Sequence, residues 1–461
     1  MFTGNVAQFA PLLSEKRYLC SSNNNLKNIQ NMSLKCGIIG IANVGKSTLF
    51  NCMSNTKVET TSFAFTSNKS NIGIVDVPDP RLYNLENFQA TEKIIPATVE
   101  IVDIPGLAKG ANKGEGVGNQ FLTDIRNTDA LIHVLRCFDD ENLPHIEGSV
   151  NPVRDIETIN LELQVKDLES VEKKIIRLEK LAKVGDKDAK KGIEVLQVYK
   201  DHLENFQNAS TAPVSETDQK YIDDLFLLTA KPVMYVCNVD DASATTGNKY
   251  VDAVKAFLQS EAGNTSAENA GGGAGGAGNA SGGAGGAGGA GGAGNASGSA
   301  GGAGNTTSGK TTTGKSATSG DTATADTGPE VLVLAGRLEE EIAELDPEDR
   351  ADFLADAGLA EPGVNKLIRS AYSMLNLMSF FTVGPKENRA WTIKKGMTAP
   401  QAAGVIHSDL ERGFIRAEVM KYNDFITLGS EQACKVAGKL AVEGKNYVVG
   451  DGDILHIRFN V

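Results

Sequence analysis

An eight-residue segment near the start of the chain, residues 40–47, has the composition and spacing needed to hold a phosphate. It fits the pattern G-x4-G-K-[ST], follows an apolar run at 36–39 that is typical of a strand, and leads into a helical turn at 48–53. Glycines let backbone N–H groups curl around a phosphate, and a helix N-terminus favours the anion. Lys46 is expected to reach the β- and γ-phosphates, and Ser47 to bind Mg²⁺. The nucleotide-binding residues predicted from this segment are Asn43, Val44, Gly45, Lys46, Ser47 and Thr48.

The same pattern occurs twice more, at residues 304–311 and 309–316. Both copies lie in a tract of Gly, Ala, Ser, Thr and Asn, with no apolar strand before them and no amphipathic helix after them. A phosphate loop needs both elements to position it. We therefore expect nucleotide binding at residues 40–47 and at neither of the later copies.

A second motif follows an apolar run at residues 99–102. Residues 103–106, Asp-Ile-Pro-Gly, have the form D-x-x-G. A carboxylate at that strand end can hold Mg²⁺ through water, and the Gly106 N–H can sense a γ-phosphate. Because this motif lies about sixty residues after a credible phosphate loop, we assign Asp103 to the metal and Gly106 to the nucleotide.

A third motif concerns the base. Asn238 ends an apolar run at 231–238 and is followed by Val239 and, two residues later, Asp241. In GTPases an N-K-x-D motif at this place reads guanine, because the Asp accepts hydrogen bonds from the base edge and the Lys stem covers the ring. Val239 replaces that Lys, so these residues are predicted to contact the base but leave its identity open.

The elements that must position these motifs form two patterns. From residue 35 to about 150, β-like runs alternate with helical stretches, which is typical of an α/β fold with a parallel sheet. From 155 to 209 apolar residues recur at heptad spacing, with a break at 185–186, and this predicts an antiparallel helical hairpin inserted before the strand at 231–238. A purely structural arm and a docking surface for a partner both remain open.

Composition limits the classes of protein that the chain can be. It has 461 residues, 41% of them apolar, and a net charge of −13, which argues against a surface that generally coats nucleic acid. No run of eighteen apolar residues is present, so no membrane span is predicted. The six cysteines lack C-x-x-C spacing, and several lie in apolar runs. Buried reduced thiols and a cytoplasmic location are therefore expected.

Two segments are expected to lack a core. Residues 1–31 are polar and Asn-rich without a convincing signal sequence, and we interpret them as a disordered leader. Residues 263–328 contain almost no apolar side chain larger than alanine, so they cannot offset their ordering entropy and should form a flexible coil. Neither segment reveals a role.

Taken together, these motifs closely resemble the YchF branch of the Obg-like P-loop NTPases. The similarity extends over residues 32–461 apart from the low-complexity tract. The segments that carry it are residues 40–47, 77–82, 103–107, 113–121, 133–138, 155–160 and 399–404. Chance agreement at so many ordered positions is negligible.

The resemblance implies a P-loop NTPase G domain over 32–376 with an inserted α-helical coiled-coil hairpin. It also implies a C-terminal TGS domain of ubiquitin-like β-grasp fold over 377–461. The implied activity is hydrolysis of ATP in preference to GTP, with Mg²⁺ as cofactor and the ribosome, through its large subunit, as partner. No membrane and no DNA partner is expected.

The resemblance also implies slow intrinsic hydrolysis. Leu107 lies where Ras-type enzymes place a Gln that orients water, and an apolar side chain cannot orient water. Asn43 matches a position that binds a potassium ion in some P-loop NTPases, although it could instead brace the loop. His133 matches a family histidine proposed to assist catalysis, although a His that ends an apolar strand is often structural. Lys46, Asn43 and His133 are thus the catalytic candidates.

Two departures from the family pattern affect the assignment. The expected first switch, N-Y-P-F-x-T-I-E-P-N, is replaced at residues 62–71 by a segment without its prolines, in which Ser67 or Thr66 could supply the metal-binding hydroxyl. The family motif N-x-x-E ends here in Asp241, closer to the guanine pattern. A GTP-specific GTPase, a nucleotide-gated adaptor with vestigial hydrolysis and a degenerate gene copy therefore remain alternatives. The small-residue loop that accompanies the base corresponds to residues 335–337.

Overall fold

The computed structural model describes residues 34–54, 70–106, 117–271 and 330–460. The predictions for the leader, for most of the low-complexity tract, and for Thr66, Ser67 and Leu107 fall outside these ranges. One compact unit contains the described residues through Gln259 and those from 330 onward, and a second begins at Ser260. Among the described helices, none combines the length and apolarity that a membrane crossing requires.

Strands form two sheets. In chain order they are β1 (Lys35–Ile39), β2 (Asn71–Asp76), β3 (Ile94–Ile95), β4 (Thr98–Asp103), β5 (Ala130–Arg136), β6 (Val233–Asn238), β7 (Val331–Leu334), β8 (Leu377–Thr382), β9 (Asn388–Lys394), β10 (Phe414–Lys421), β11 (Leu440–Glu443) and β12 (Asp453–Phe459). The first sheet has the order β2-β4-β1-β5-β6-β7, parallel except for β2. Every residue of β5 is buried, as expected for a strand covered on both faces. The predicted α/β class is confirmed.

Helices cover the first sheet and complete the second. In chain order they are α1 (Lys46–Met53), α2 (Pro80–Asn84), α3 (Val117–Arg126), α4 (Pro152–Ala182), α5 (Lys187–Glu204), α6 (Lys249–Gly271), α7 (Gly336–Glu344), α8 (Pro347–Asp356), α9 (Gly363–Met374), α10 (Ala399–Ile406), α11 (Ser408–Arg412), α12 (Tyr422–Leu428) and α13 (Glu431–Val436). One continuous apolar core joins side chains of both sheets, from Ile38 in β1 to Phe381 in β8. Burial of this core is the main contribution to the stability of both sheets.

Two long helices, α4 and α5, connect β5 to β6. They span residues 152–204, close to the region 155–209 that was predicted to be helical. They pack against each other through an apolar cluster that includes Val171 and Leu196. Asp186 caps α5, so the helical break lies where the sequence placed it. At the base of the pair the buried Asp167 carboxylate accepts backbone hydrogen bonds from Leu228 and Thr229, both at 2.8 Å. These bonds tie α4 to the segment that leads into β6.

Helix α6 departs from one expectation. A flexible coil was predicted from Gly263, but the helix continues to Gly271. Nucleation is the costly step in helix formation, and propagation adds one hydrogen bond for each further residue. The helix nucleated in the preceding amphipathic segment therefore extends into the start of the low-complexity tract.

The second sheet has the order β11-β10-β12-β8-β9-β3, and one of its strands comes from the other end of the chain. Strand β3, from the connection between β2 and β4, pairs in parallel with β9, with Ile94 opposite Asn388. The Asn388 N–H also donates to the Lys93 carbonyl at 2.9 Å. Residues 377–461 therefore do not complete this sheet alone.

An arginine with two salt bridges adds a further contact between the β2–β4 connection and the C-terminal region. The Arg81 guanidinium lies between Asp79, 2.8 Å from Nη2, and Asp451, 2.7 Å from Nη1. It also covers the ring of Phe381 at 5.4 Å. Gly452, in the turn before β12, approaches the same guanidinium, and its φ of 76° favours glycine at this position. The segment at residues 77–82 thus packs the first sheet's β2–β4 connection against the C-terminal region.

Candidate functional site

The loop after β1 is held open by residues with positive φ. These are Gly40 at 151°, Asn43 at 64° and Gly45 at 98°. A Cβ on Gly40 would lie 2.6 Å from the Val134 carbonyl oxygen, so the neighbouring strand leaves room only for glycine. The Asn43 amide donates to the Pro144 carbonyl at 3.2 Å. Asn43 therefore braces the loop in this structure.

Helix α1 begins without a side-chain cap. Gly45 precedes it in the left-handed conformation, and its first turn has no acidic side chain. The first backbone N–H groups of a helix have no partner within the helix, and the helix dipole adds a partial positive charge there. Ser47 and Thr48 lie in this first turn. The end of the helix that carries the predicted residues is therefore suited to a phosphate.

Lys46 is buried at the centre of the loop. Its Nζ donates to the Ile41 carbonyl at 2.7 Å. Burial lowers the pKa of Lys46 to about 8, and the nearby Asp103 carboxylate opposes the shift. A Cβ on Gly106 would lie 2.9 Å from Nζ, so the D-x-x-G turn closely approaches the lysine. The structure thus brings Lys46, Asp103 and Gly106 together.

Ser47 and Asp103 form the predicted pair of oxygen donors. The Ser47 hydroxyl donates to Oδ2 of Asp103 at 2.9 Å. The other carboxylate oxygen, Oδ1, is buried and has no hydrogen-bond partner. Burial raises the pKa of Asp103, opposed by the Ser47 hydrogen bond and the charge of Lys46. A buried carboxylate with an unused oxygen beside a hydroxyl fits Mg²⁺, which prefers hard oxygen ligands.

His133 lies in the middle of β5 and is 1% exposed. Its Nε2 has no hydrogen-bond partner, and its ring lies 5.5 Å from the ring of Tyr235. Burial, aided by the charge of Lys46, lowers the pKa of His133 to about 3. The imidazole is therefore neutral at physiological pH and can act there only as a neutral donor or acceptor.

Asn238 connects the phosphate loop to the second loop predicted at the base. Its side-chain Nδ2 donates to the Val44 carbonyl at 2.9 Å, and its Oδ1 accepts the Gly336 N–H at 2.8 Å. A Cβ on Gly45 would collide with the same amide. The Asn238 amide thus positions loops that lie far apart in the sequence.

The other two base candidates differ in exposure. Val239 is 3% exposed, and its N–H donates to the Leu334 carbonyl at 2.9 Å. The Asp241 side chain is 40% exposed and lies 3.6 Å from the Arg337 guanidinium, which the motif did not include. Strands β6 and β7 are parallel neighbours, so Asp241 and Arg337 follow them at the same sheet edge.

Arg136 is a site residue that motif spacing missed. It is 2% exposed at the end of β5, and its guanidinium donates to the carbonyls of Leu143 at 2.7 Å, Phe138 at 3.1 Å and Asp140 at 3.2 Å. It therefore shapes the loop whose Pro144 carbonyl holds the phosphate loop. An arginine at the end of a fully buried strand was the available signal, because a buried charge needs dedicated partners.

Two family models match separate parts of the chain. Residues 35–180 match a family described as a 50S ribosome-binding GTPase. Residues 377–460 match the C-terminal domain of YchF GTPases, described as a protein of unknown function. The second match begins at the first residue of β8.

Similarity to individual proteins extends over almost the whole chain. The ribosome-binding ATPase YchF of Bacillus subtilis (strain 168) is 41% identical, covering 93% of this chain and 100% of the relative. The protein of the same description from Escherichia coli O157:H7 is also 41% identical, with the same coverage. The structure of the Schizosaccharomyces pombe YchF GTPase is 30% identical, covers 92% of this chain and 98% of its own, and gives a TM-score of 0.69. The bacterial relatives are described as ATPases and the yeast protein as a GTPase.

Proposed function

The chain belongs to the YchF family, and from this premise we propose that it is a ribosome-associated NTPase that hydrolyses ATP and accepts GTP. The single observation that carries this function is the cluster of the buried Lys46 and Asp103 with Ser47, beside the uncapped N-terminus of α1. Buried charges and an unpaired carboxylate oxygen are costly without a ligand that uses them. A Mg²⁺–nucleoside triphosphate supplies both the anion and the cation that this cluster lacks.

In this proposal the phosphate end has fixed roles. The ammonium of Lys46 balances charge on the β- and γ-phosphates, and backbone N–H groups of residues 43–48 hold their oxygens. Ser47, Asp103 and Ser67 supply oxygen ligands for Mg²⁺, which when bound neutralises charge on the transferred phosphoryl group. The Gly106 N–H faces the γ-phosphate.

Three residues of the motif at 238–241 are assigned to the base end, namely Asn238, Val239 and Asp241. Asn238 orders the two loops that flank the base, Val239 anchors the segment between them through its side chain in the core, and Asp241 faces the edge of the ring. Asn43 is a proposed ligand for K⁺, with Leu107 leaving the attacking water unoriented. The neutral imidazole of His133 donates or accepts a hydrogen bond during hydrolysis.

The remaining regions serve ribosome binding in this proposal. We assign α4 and α5 to the family's coiled-coil hairpin and the region from 377 to the TGS domain, with the G domain spanning 32–376. The large ribosomal subunit is the proposed partner and the cytoplasm the proposed location. Nucleotide state then controls partner binding.

A nucleotide-gated adaptor with vestigial hydrolysis is the second candidate. The observation that favours it is His133, which is buried and unpartnered at Nε2, and whose pKa of about 3 makes its imidazole a weak proton acceptor. In that case the protein binds nucleotide without useful turnover.

Single-turnover hydrolysis separates these candidates. ATP and GTP are each mixed with excess protein in KCl or NaCl, with and without ribosomes. The enzyme assignment predicts slow hydrolysis alone and at least about tenfold stimulation by ribosomes, since charge or order supplied from outside lowers such barriers. No stimulation by potassium or by ribosomes would support the adaptor. The same assay with His133→Ala tests its role, because an unchanged stimulated rate makes His133 purely structural.

A further inference from the structure

Two opposite charges meet at the base end of the site. Arg337 directly follows the loop glycine whose N–H binds Asn238, and Asp241 follows Asn238 by three residues. Arg337 Nε lies 3.6 Å from Asp241 Oδ2 and 3.3 Å from Glu341 Oε1. The Arg337 and Asp241 side chains are 77% and 40% exposed, so each can rearrange when a base binds.

The carboxylate of Asp240, the residue before Asp241, already has hydrogen-bond partners. Asp240 accepts hydrogen bonds from the backbone N–H and the hydroxyl of Ser243, at 3.1 and 3.0 Å, and caps the turn that contains Asp241. Asp241 itself makes no hydrogen bond of this kind among the described residues, and its pair with Arg337 is a loose one. Asp241 is thus the carboxylate here that remains free to choose between Arg337 and a ligand.

Guanine attracts such a carboxylate, whereas adenine repels it. Guanine presents N1–H and an exocyclic amine, which can both donate to one carboxylate. Adenine presents the lone pair of N1 at the corresponding position, which repels a negative charge. Charge-assisted hydrogen bonds are stronger than neutral ones, and unpaired polar groups penalise the wrong ligand. The availability of the Asp241 carboxylate therefore biases base choice.

We propose that Arg337 is a specificity-determining residue, which pairs with Asp241 and so weakens guanine recognition while it removes the repulsion of adenine. This inference rests on the proposed nucleotide site and concerns only the ratio of affinities for ATP and GTP. It explains how the chain can accept ATP although its motif ends in Asp. Glu341 competes for the same guanidinium and limits the strength of the pair.

The test is a competition between non-hydrolysable ATP and GTP analogues for the full-length protein with Mg²⁺. Arg337→Gln should raise the affinity for GTP relative to ATP by about two- to fivefold, the range expected from losing an exposed ion pair. In the Asp241→Asn background the same change should shift the ratio by less than about 1.5-fold, since the carboxylate is gone. Glu341→Gln is the matched control and should not favour GTP, because it removes the competitor of Asp241.

Salt gives a second readout that a merely structural role of Arg337 would not move. Screening weakens exposed ion pairs, so raising NaCl from about 0.05 to 0.5 M should shift the wild-type ratio towards GTP and leave Arg337→Gln unchanged. An unchanged ratio in Arg337→Gln, or an equal shift with and without Asp241, overturns the proposal. Failure of the wild type to bind either analogue would instead refute the proposed function, so the two failures are distinct.

Discussion

The phosphate end and the base end of the proposed site are built on different principles. At the phosphate end Lys46 and Asp103 are 8% and 6% exposed, and the protein has already removed their charges from water. At the base end the Asp241 and Arg337 side chains are 40% and 77% exposed. Desolvated charges restrict a site to one class of ligand, whereas an exposed pair rearranges at small cost. Triphosphate binding is therefore rigidly specified, while base preference can change with one or two substitutions.

The largest effect is expected for Lys46→Ala, which tests whether the phosphate end acts on ATP and GTP alike. Loss of the buried ammonium should reduce ATP and GTP hydrolysis alike, by about 100- to 1000-fold, since such groups act where charge develops in a low-dielectric site. Single-turnover rates measure the loss, and circular dichroism checks the fold. Lys439→Ala, an exposed lysine of the C-terminal region that pairs with Asp424, is the matched control. Full activity in Lys46→Ala would refute the site.

A pH titration should act at the phosphate end alone. Because the pKa of Lys46 is about 8 without ligand, nucleotide binding above that pH must take up a proton, and affinity should fall about tenfold per pH unit. ATP and GTP should show the same slope in titrations from pH 7 to 8.8, below the range in which guanine N1–H ionises. Different slopes for the two nucleotides would contradict the separation of the two ends.

The same residue affects stability with the opposite sign. The folded-state pKa of Lys46 lies below its ordinary value of 10.5, so the unfolded chain holds the proton more tightly. The penalty for burying the charged amine is complete below pH 8 and disappears as the pH rises from 8 to 10.5. Its contribution to the free energy of unfolding of the nucleotide-free protein should therefore improve over that interval.

The smallest expected effects are changes in the free energy of unfolding at the base end. They distinguish a residue that holds two loops together from a residue that is merely exposed. Asn238→Ala leaves the Val44 carbonyl and the Gly336 N–H without their partner and should lower the free energy of unfolding by about 2 kcal/mol. Asp241→Asn should change it by less than about 0.5 kcal/mol, since it loses only an exposed pair. Urea denaturation without nucleotide measures both. Equal losses would show that Asp241 also supports the fold.

The local sequence predicted the strand, loop and helix around residues 40–47 because these elements are neighbours in the chain. Residues 36–39 were predicted as a strand and lie within β1, and the glycine and lysine spacing of residues 40–47 is sufficient to define a loop before a helix. The D-x-x-G motif was placed correctly because the end of a buried strand has a clear apolar signal. Parallel strands then bring Lys46 and Asp103 together.

The remaining features depend on contacts between distant residues. Arg337 meets Asp241 only because β6 and β7 are adjacent, although the tract at 263–328 separates them in sequence. Arg136 donates to backbone carbonyls, so its residue type indicated a buried charge but not which loop it holds. The two-residue β3 is too short for any periodicity, so its pairing with β9 could not be predicted.

That short strand has a consequence for the order in which the protein is made. Synthesis proceeds from the N-terminus, and segments fold as they emerge when their partners are available. Ile94 and Ile95 leave the ribosome long before β9 exists, so this edge waits unpaired while the arm and the low-complexity tract are translated. These two residues gain their partner strand only when β9 has emerged, and the second sheet is complete only after β12. Assembly of this sheet therefore depends on segments that are synthesised more than 350 residues apart.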